Sequence, residues 1–191
     1  MFLRSVLVFY LSRYPARAGW AAGLLAGLLL AGCGPAPSDS CVLLQSDFEQ
    51  FEGWAHPLPP FLSTEQAHSG RYSYRLVEGT DFGSKFQQPL GISCAFVPRK
   101  LRLSGWVYLP SGRIGSTKLV VEINCQGRRK NVWECLEVQE VVKRYGKWEY
   151  VQKIIRLPPD LEPSDILQLY VWHVEAGDPT WFDDLRLEGW R

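Results

Sequence analysis

Hydrophobic and polar residues alternate with a period of two along most of the chain beyond residue 40, a pattern that predicts strands. It is clearest over Arg99–Leu109: Leu101, Leu103, Val107 and Leu109 share one face with Gly105, and Arg102, Ser104, Trp106 and Tyr108 share the other. Thr117–Gln126 repeats it, with Leu119, Val121, Ile123 and Cys125 inward. The polar turn Gly127-Arg128-Arg129-Lys130 then leads into Asn131–Val138, which predicts a hairpin. Further strands are predicted over Cys41–Phe48, Arg71–Glu78, Phe82–Gln88, Trp148–Leu157, Ile166–Val174 and Thr180–Glu188. Proline-rich stretches such as His56-Pro57-Leu58-Pro59-Pro60 and Pro158-Pro159 punctuate them. Glu140–Tyr145 fits one helical turn or a loop. About nine or ten short strands with few or no helices predict an all-β sandwich or barrel. No strand-and-helix alternation supports a parallel α/β sheet.

The N-terminus breaks the pattern. Arg4, Arg13 and Arg17 form a basic leader, followed by an apolar run from Trp20 to Ala31 and small residues before Cys33. That order is the charged, apolar, small-residue arrangement of a secretory signal. The run is about a dozen residues, short of the ~20 that a spanning helix needs. The leader takes three of the 21 basic residues and none of the 20 acidic ones, leaving 18 against 20, a net charge of −2. A nucleic-acid binder would need a basic face, so no nucleic-acid partner is expected. Roughly 158 residues follow Cys33, enough for one domain with its own core. Aromatics make up 13% of the chain, with eight tryptophans, 17 glycines and 13 prolines, which again favours strands and turns. An exported compartment permits disulfides among Cys41, Cys94, Cys125 and Cys135. Cys125 with Cys135 is the pair nearest in sequence, and four reduced cysteines are the alternative.

Leu29-Leu30-Ala31-Gly32-Cys33 resembles a bacterial lipobox. The resemblance implies a lipoprotein: residues 1–32 are a signal peptide, Cys33 carries three acyl chains (palmitate among them), and 33–40 form a flexible tether. The implied location is the cell envelope, with the lipid bilayer as a partner. Gly34 after the cysteine, rather than an acid, favours the outer membrane. Residues 41–191 carry a second resemblance. Asp47-Phe48-Glu49 with Gly53-Trp54, Ala67-His68-Ser69-Gly70-Arg71-Tyr72-Ser73, and Ser104-Gly105-Trp106-Val107-Tyr108 come in that order. Gly146-Lys147-Trp148, Leu157-Pro158 and Trp181-Phe182-Asp183-Asp184-Leu185 follow. This series is similar to the jelly-roll domains of the galactose-binding-like superfamily, carbohydrate-binding modules in particular. The resemblance implies a structural Ca2+, held by Asp47 or Glu49, carbonyls near Ser69 and Gly70, and Asp183 or Asp184. Calcium takes six to eight hard oxygens, so the donor types suit it; an ordinary acidic strand start and a turn-capping Glu49 are the alternative.

The candidate binding face is the outward side of the alternating strands. It carries Arg102, Trp106 and Tyr108, then Glu122 and Asn124, then Gln168, Tyr170 and Trp172. If these strands share a sheet, rings and hydrogen-bonding groups mix there as a sugar site requires. The alternative is that these rings pack beneath a loop or the other sheet. Catalytic signals are weak: Glu134 and Glu137, or Glu122 with Glu149, could meet across strands, but spacing alone does not show it. Asp183 and Asp184 are adjacent on a strand and point to opposite faces, so they cannot flank a glycosidic bond. His56, His68 and His173 are isolated, and no nucleophile elbow, metalloprotease helix or phosphate loop occurs. The expected function is therefore a membrane-anchored, non-catalytic carbohydrate binder. A structural or partner-binding envelope lipoprotein of the same fold is the second reading, and a jelly-roll glycoside hydrolase or lyase is the third.

Overall fold

The computed structural model describes residues 39–191, apart from 55, 77, 78, 80, 114, 175 and 176. The chain divides into two units, Met1–Ala36 and Pro37–Arg191, and all described residues belong to the second. The signal peptide, Cys33 and most of the tether lie outside the described residues, as does the end of the Arg71–Glu78 strand. Among the described residues no helix is long and apolar enough to cross a membrane.

Ten strands form two antiparallel sheets. They are β1 (Ser40–Ser46), β2 (Leu62–Ser63), β3 (Ser73–Leu76), β4 (Phe86–Pro89), β5 (Lys100–Leu109), β6 (Ser116–Asn124), β7 (Val132–Glu137), β8 (Lys147–Arg156), β9 (Ile166–Val174) and β10 (Thr180–Trp190). Two single-turn α-helices, α1 (Leu90–Ser93) and α2 (Val138–Val141), and a 3₁₀ turn over Glu49–Phe51 interrupt them. The six-stranded sheet A runs β2-β3-β10-β5-β8, with β1 also on β10; the four-stranded sheet B runs β4-β9-β6-β7. Apart from the β2–β3 and β6–β7 pairs and the β1–β2 connection, consecutive strands alternate between sheets, as in a jelly roll.

The inward positions of the alternating strands meet between the sheets. Leu101, Leu103, Val107 and Leu109 of β5 face Leu119, Val121 and Ile123 of β6 and Leu167 of β9, and all are fully buried. Phe182 and Leu187 of β10 complete this core. Gly105 stands in the same row because Leu185 presses on it: a Cβ there would lie 2.6 Å from the Leu185 side chain.

Each long edge of the sandwich is closed differently. On one side Cys41 of β1 is bonded to Cys94, just after α1, with Cα atoms 5.5 Å apart. Gln88 Nε2 of β4 adds a hydrogen bond of 3.0 Å to Leu43 O of β1. On the other side Lys153 of β8 donates to Glu134 Oε2 at 3.0 Å and Cys135 O at 2.6 Å, both in β7. The expected Cys125–Cys135 pairing is therefore corrected, and so is the fully reduced alternative. The β6–β7 register sets Cys135 opposite Val120, five residues from Cys125. The two thiols also point to opposite faces, Cys125 into the core. Both remain free, and burial raises each thiol above its ordinary pKa, so they stay protonated.

Glu140–Tyr145 holds no helix of its own: the single turn, α2, begins earlier at Val138, whose buried side chain anchors it. Pattern reading also missed β2, two residues long and too short to show a period.

The disulfide spans 53 residues of sequence, and closing a loop of that size in the unfolded chain stabilises by about 4 kcal/mol. Cys94→Ser should lower the unfolding free energy of Pro37–Arg191 by about 2–4 kcal/mol in urea melts. Thiol titration of the denatured, unreduced unit should find Cys125 and Cys135 and neither Cys41 nor Cys94.

Candidate binding face and the acidic cluster

The proposed sugar contacts do not form one site. Arg102, Trp106 and Tyr108 lie on β5 of sheet A, whereas Glu122, Asn124, Tyr170 and Trp172 lie on β6 and β9 of sheet B. Each group is on the outward side of its own sheet, so the two point away from each other across the core. The strand pattern is the same in both sheets, and only the pairing separates them.

On sheet A most outward rings pack on one another, and Tyr150, opposite Trp106, is 51% exposed. The His68 ring stacks on Trp106 with centroids 3.9 Å apart and planes 15° from parallel. Tyr108 packs on Trp148 and edge-on to Trp181, and Trp181 is buried with its Nε1 donating to Ser63 Oγ at 3.3 Å. Arg102 is held in an ion pair with Glu188 directly opposite on β10, and lies over Trp190 at 5.2 Å. Burial works against the charge on Glu188, but hydrogen bonds from Arg102 and Arg186 outweigh it and hold the carboxyl below its usual range. These three residues are structural.

Sheet B presents an open aromatic and polar face. The register brings Trp172 beside Lys118, Tyr170 beside Val120 and Gln168 beside Glu122, with Trp133 of β7 next to Glu122 on the other side. Phe82, bridged to Trp172, stacks parallel to it at 6.2 Å with planes 4° apart. Trp133 meets Trp172 edge-on at 6.1 Å. The polar groups form a chain: Trp133 Nε1 donates to Tyr170 Oη at 3.3 Å, which donates to Glu122 Oε2 at 3.1 Å, while Asn131 Nδ2 donates to Glu122 Oε1 at 3.1 Å. Lys85 Nζ donates to Gln168 Oε1 at 3.2 Å and lies over the Tyr170 ring. Phe82, Gly83, Lys85, Glu122 and Tyr170 line a small pocket of about 150 Å³. Asn124 stands apart from this network, its Oδ1 accepting the Gln126 amide at 2.8 Å in the β6–β7 turn.

Two residues of this face were missed by sequence reasoning. Phe82 is 61% exposed and Trp133 is 45% exposed, whereas Trp172 is half-buried between Phe82, Trp133 and the Lys118 ammonium. Trp133 had a signal, since it alternates with Cys135 and Glu137 on a strand predicted to pair with β6. Phe82 had none, because it lies before β4 and reaches the face through a single bridge.

The four carboxylates proposed for calcium, Asp47, Glu49, Asp183 and Asp184, each accept N–H or O–H donors. Asp183 is fully buried; its Oδ2 accepts the His68 and Ser69 amides at 2.8 and 3.1 Å, and its Oδ1 accepts the Asp184 amide at 2.7 Å. Asp184 accepts Ser69 Oγ at 2.8 Å and meets His68 Nδ1 at 2.7 Å. Glu49 Oε1 accepts the Arg71 and Tyr72 amides at 2.7 and 2.6 Å. Asp47 Oδ1 only accepts the Glu49 amide. Gly70 has φ +56, and a Cβ there would lie 2.5 Å from the Glu49 carboxyl. A calcium cage needs carbonyl and carboxylate oxygens converging on one point. Here the turn sends amide hydrogens to the carboxylates instead, so the donor set does not fit a cation. Among the described residues no cluster of three acidic, His or Cys groups could hold a metal. Burial raises the Asp183 carboxyl, and the three amides oppose that rise.

The carboxylate pairs considered for glycoside cleavage also separate. Glu122 is on sheet B and Glu149 on sheet A, where Arg144 holds it. Glu134 is tied to Lys153 and Glu137 to Lys118.

Asp183→Asn should cost about 1–3 kcal/mol in a thermal or urea melt, because one oxygen cannot serve all three amides. Added chelator should leave the melting temperature of the unaltered protein unchanged. A pH effect follows from Lys118 and Glu137, whose side chains are 18% and 22% exposed. The Lys118 hydrogen bond holds Glu137 below the ordinary carboxylate range. A lowered acid pKa stabilises the folded state above the unfolded pKa, and that contribution disappears as pH falls through the folded value. Glu137→Gln should therefore cost about 0.5–1 kcal/mol at neutral pH and nothing once the pH is below the lowered Glu137 value, read from paired melts.

No protein-family profile matches the chain, and none of the curated proteins matches it. Solved structures do. The C-terminal family 22 carbohydrate-binding module of Clostridium thermocellum Xyn10B superposes with a TM-score of 0.51 at 16% identity, over 78% of this chain and 92% of that one. The tandem CBM22-1–CBM22-2 domain of Paenibacillus barcinonensis Xyn10C gives 0.53 at 19% identity, over 83% of this chain and 47% of the tandem. A xylan-binding domain of family 22 gives 0.51 at 14% identity, over 80% and 97%. At these identities the likeness is one of fold: residues 39–191 form the jelly-roll β-sandwich that these carbohydrate-binding modules share.

Proposed function

We propose that this protein is a lipid-anchored, non-catalytic binder of polysaccharide and that the outer face of sheet B is its binding surface. The observation that carries the reading is the exposed Phe82 and Trp133 rings flanking a network of Tyr170, Glu122, Gln168 and Lys85. A sugar ring offers a hydrocarbon face to an aromatic ring and hydroxyls at its rim to amides, carboxylates and ammonium groups, and this surface supplies both at once. The fold shared with family 22 modules makes a xylan-type backbone the first candidate. The carboxylates of the face are each tied to a neighbour and none flanks an open cleft as a pair, which agrees with binding rather than cleavage. The lipobox-like Leu29–Cys33 segment supplies the anchor, with the tether placing the sandwich near the bilayer.

A glycan array probed with Pro37–Arg191 tests this. Binding to one class of polysaccharide should fall about five- to thirtyfold in Trp133→Ala and in Phe82→Ala, since each ring contact is worth on the order of 1–2 kcal/mol. Trp106→Ala should leave affinity unchanged, because that ring is covered by His68. A folded protein that binds no glycan would instead support the partner-binding lipoprotein reading. Labelling with radioactive palmitate, lost in Cys33→Ser, tests the anchor.

A further inference from the structure

Between the sheets, on the side where β1 and β4 lie, is a cavity of about 260 Å³. Leu44, Phe48, Phe51, Phe61, Leu169 and Leu185 supply much of its wall. It is distinct from the outer face: Lys85 and Tyr170 line both this cavity and the small outer pocket, and form the partition between them. Its polar groups are unevenly placed. Ser46 and Gln50 are paired with one another at 2.7 Å, and Ser46 Oγ also accepts the Phe48 amide. The polar groups left over gather at the Ser84–Lys85 end, where the Tyr74 hydroxyl lies so close to Gly83 that a Cβ there would collide with it.

Tyr74 is only 4% exposed, and its hydroxyl donates to no acceptor. Burial pushes the phenol up to about 12, with the Ser84 amide offsetting part of the rise, so the O–H keeps its proton and has no acceptor. A buried hydroxyl without an acceptor costs about 1–3 kcal/mol and is rare in native proteins unless something occupies the space beside it. A bound water needs two to four polar partners, and the hydrocarbon wall offers none beyond this one end. An apolar cavity of ~150 Å³ takes one benzene, so this one has room for about ten non-hydrogen atoms.

We propose that this cavity is a second binding site, for a small monocarboxylate whose apolar body lies among the phenylalanines. Its carboxylate accepts the Tyr74 hydroxyl and the Lys85 ammonium. Lys85 has three donors and uses one on Gln168, so it can serve both. The site shares Lys85 and Tyr170 with the outer face, but Phe82 and Trp133, the exposed rings of that face, do not line it, so the two sites are tested separately.

The test is calorimetric titration of octanoate, a ten-heavy-atom probe, into Pro37–Arg191, whose core and disulfide are self-contained. One saturable site is expected. Tyr74→Phe, which keeps the volume, should weaken octanoate about tenfold or more, the worth of a hydrogen bond to a charged group. Leu44→Trp, which fills the cavity, should abolish uptake, and Trp133→Ala should change nothing. 1-Octanol should bind at least tenfold more weakly than octanoate. Absence of saturable uptake by the folded protein would overturn the proposal. So would uptake unchanged by Tyr74→Phe and Leu44→Trp, or uptake lost in Trp133→Ala, which would put the probe on the outer face. Equal binding of 1-octanol would overturn the carboxylate assignment.

Discussion

The C-terminal strand β10 is the element on which sheet A depends. It pairs with β5 along one side, and along the other with β3 at Thr180–Phe182 and with β1 from Leu185 onward. The two neighbours on that side leave a gap between them, and a bulge falls there, with Asp184 at φ 47. The gap has to be closed without leaving buried amides unpaired. The carboxylates of Asp183 and Glu49 do this by accepting the amides of the His68–Tyr72 turn, while Asp184 takes the Ser69 hydroxyl and meets the His68 ring. The acidic residues are therefore part of the sheet's hydrogen bonding, and the turn they hold is the one that lays His68 on Trp106.

That turn also decides which face of the sandwich is open. Both sheets carry outward aromatic rings, as alternation requires once the inward positions are taken by Leu, Val and Ile. On sheet A most rings pack on one another and on His68, with Trp181 buried beneath Arg75 and Tyr150 left exposed. On sheet B no connection crosses the face in the same way. Phe82 approaches from the rim and leaves its own ring and that of Trp133 exposed. Exposed rings beside satisfied polar groups form a rigid, pre-arranged surface, which loses little entropy when a ligand settles on it.

The closed and open edges complete this picture. Lys153 and the Cys41–Cys94 bond pin the two sheets along opposite sides. β4 is short, only four residues, and above it the segment through Ser84 and Lys85 separates from the core. The space this leaves is the cavity at Tyr74. The cavity and the outer face meet at Lys85 and Tyr170, which touch both.

Much of the fold was legible in the sequence because period-two alternation reports burial directly. Nine of the strands, the β6–β7 hairpin and the inward row Leu101, Leu103, Val107 and Leu109 all follow from it. The β10 ending in Trp-Phe-Asp-Asp-Leu was also readable as a strand. Which strands are neighbours was not readable, because the alternating pattern is the same whichever sheet a strand joins. That one unknown placed Trp106 with Trp172 when they lie on opposite sides of the core. Closeness in sequence pointed to Cys125 and Cys135, which register and face separate. Phe82, the orphaned Tyr74 hydroxyl and the amide-donating turn around Ser69 arise from segments distant in sequence. Local chemistry determined the strands and the number of outward rings; only the tertiary pairing decided which rings are covered, since covering requires a contact between residues that the chain order does not bring together.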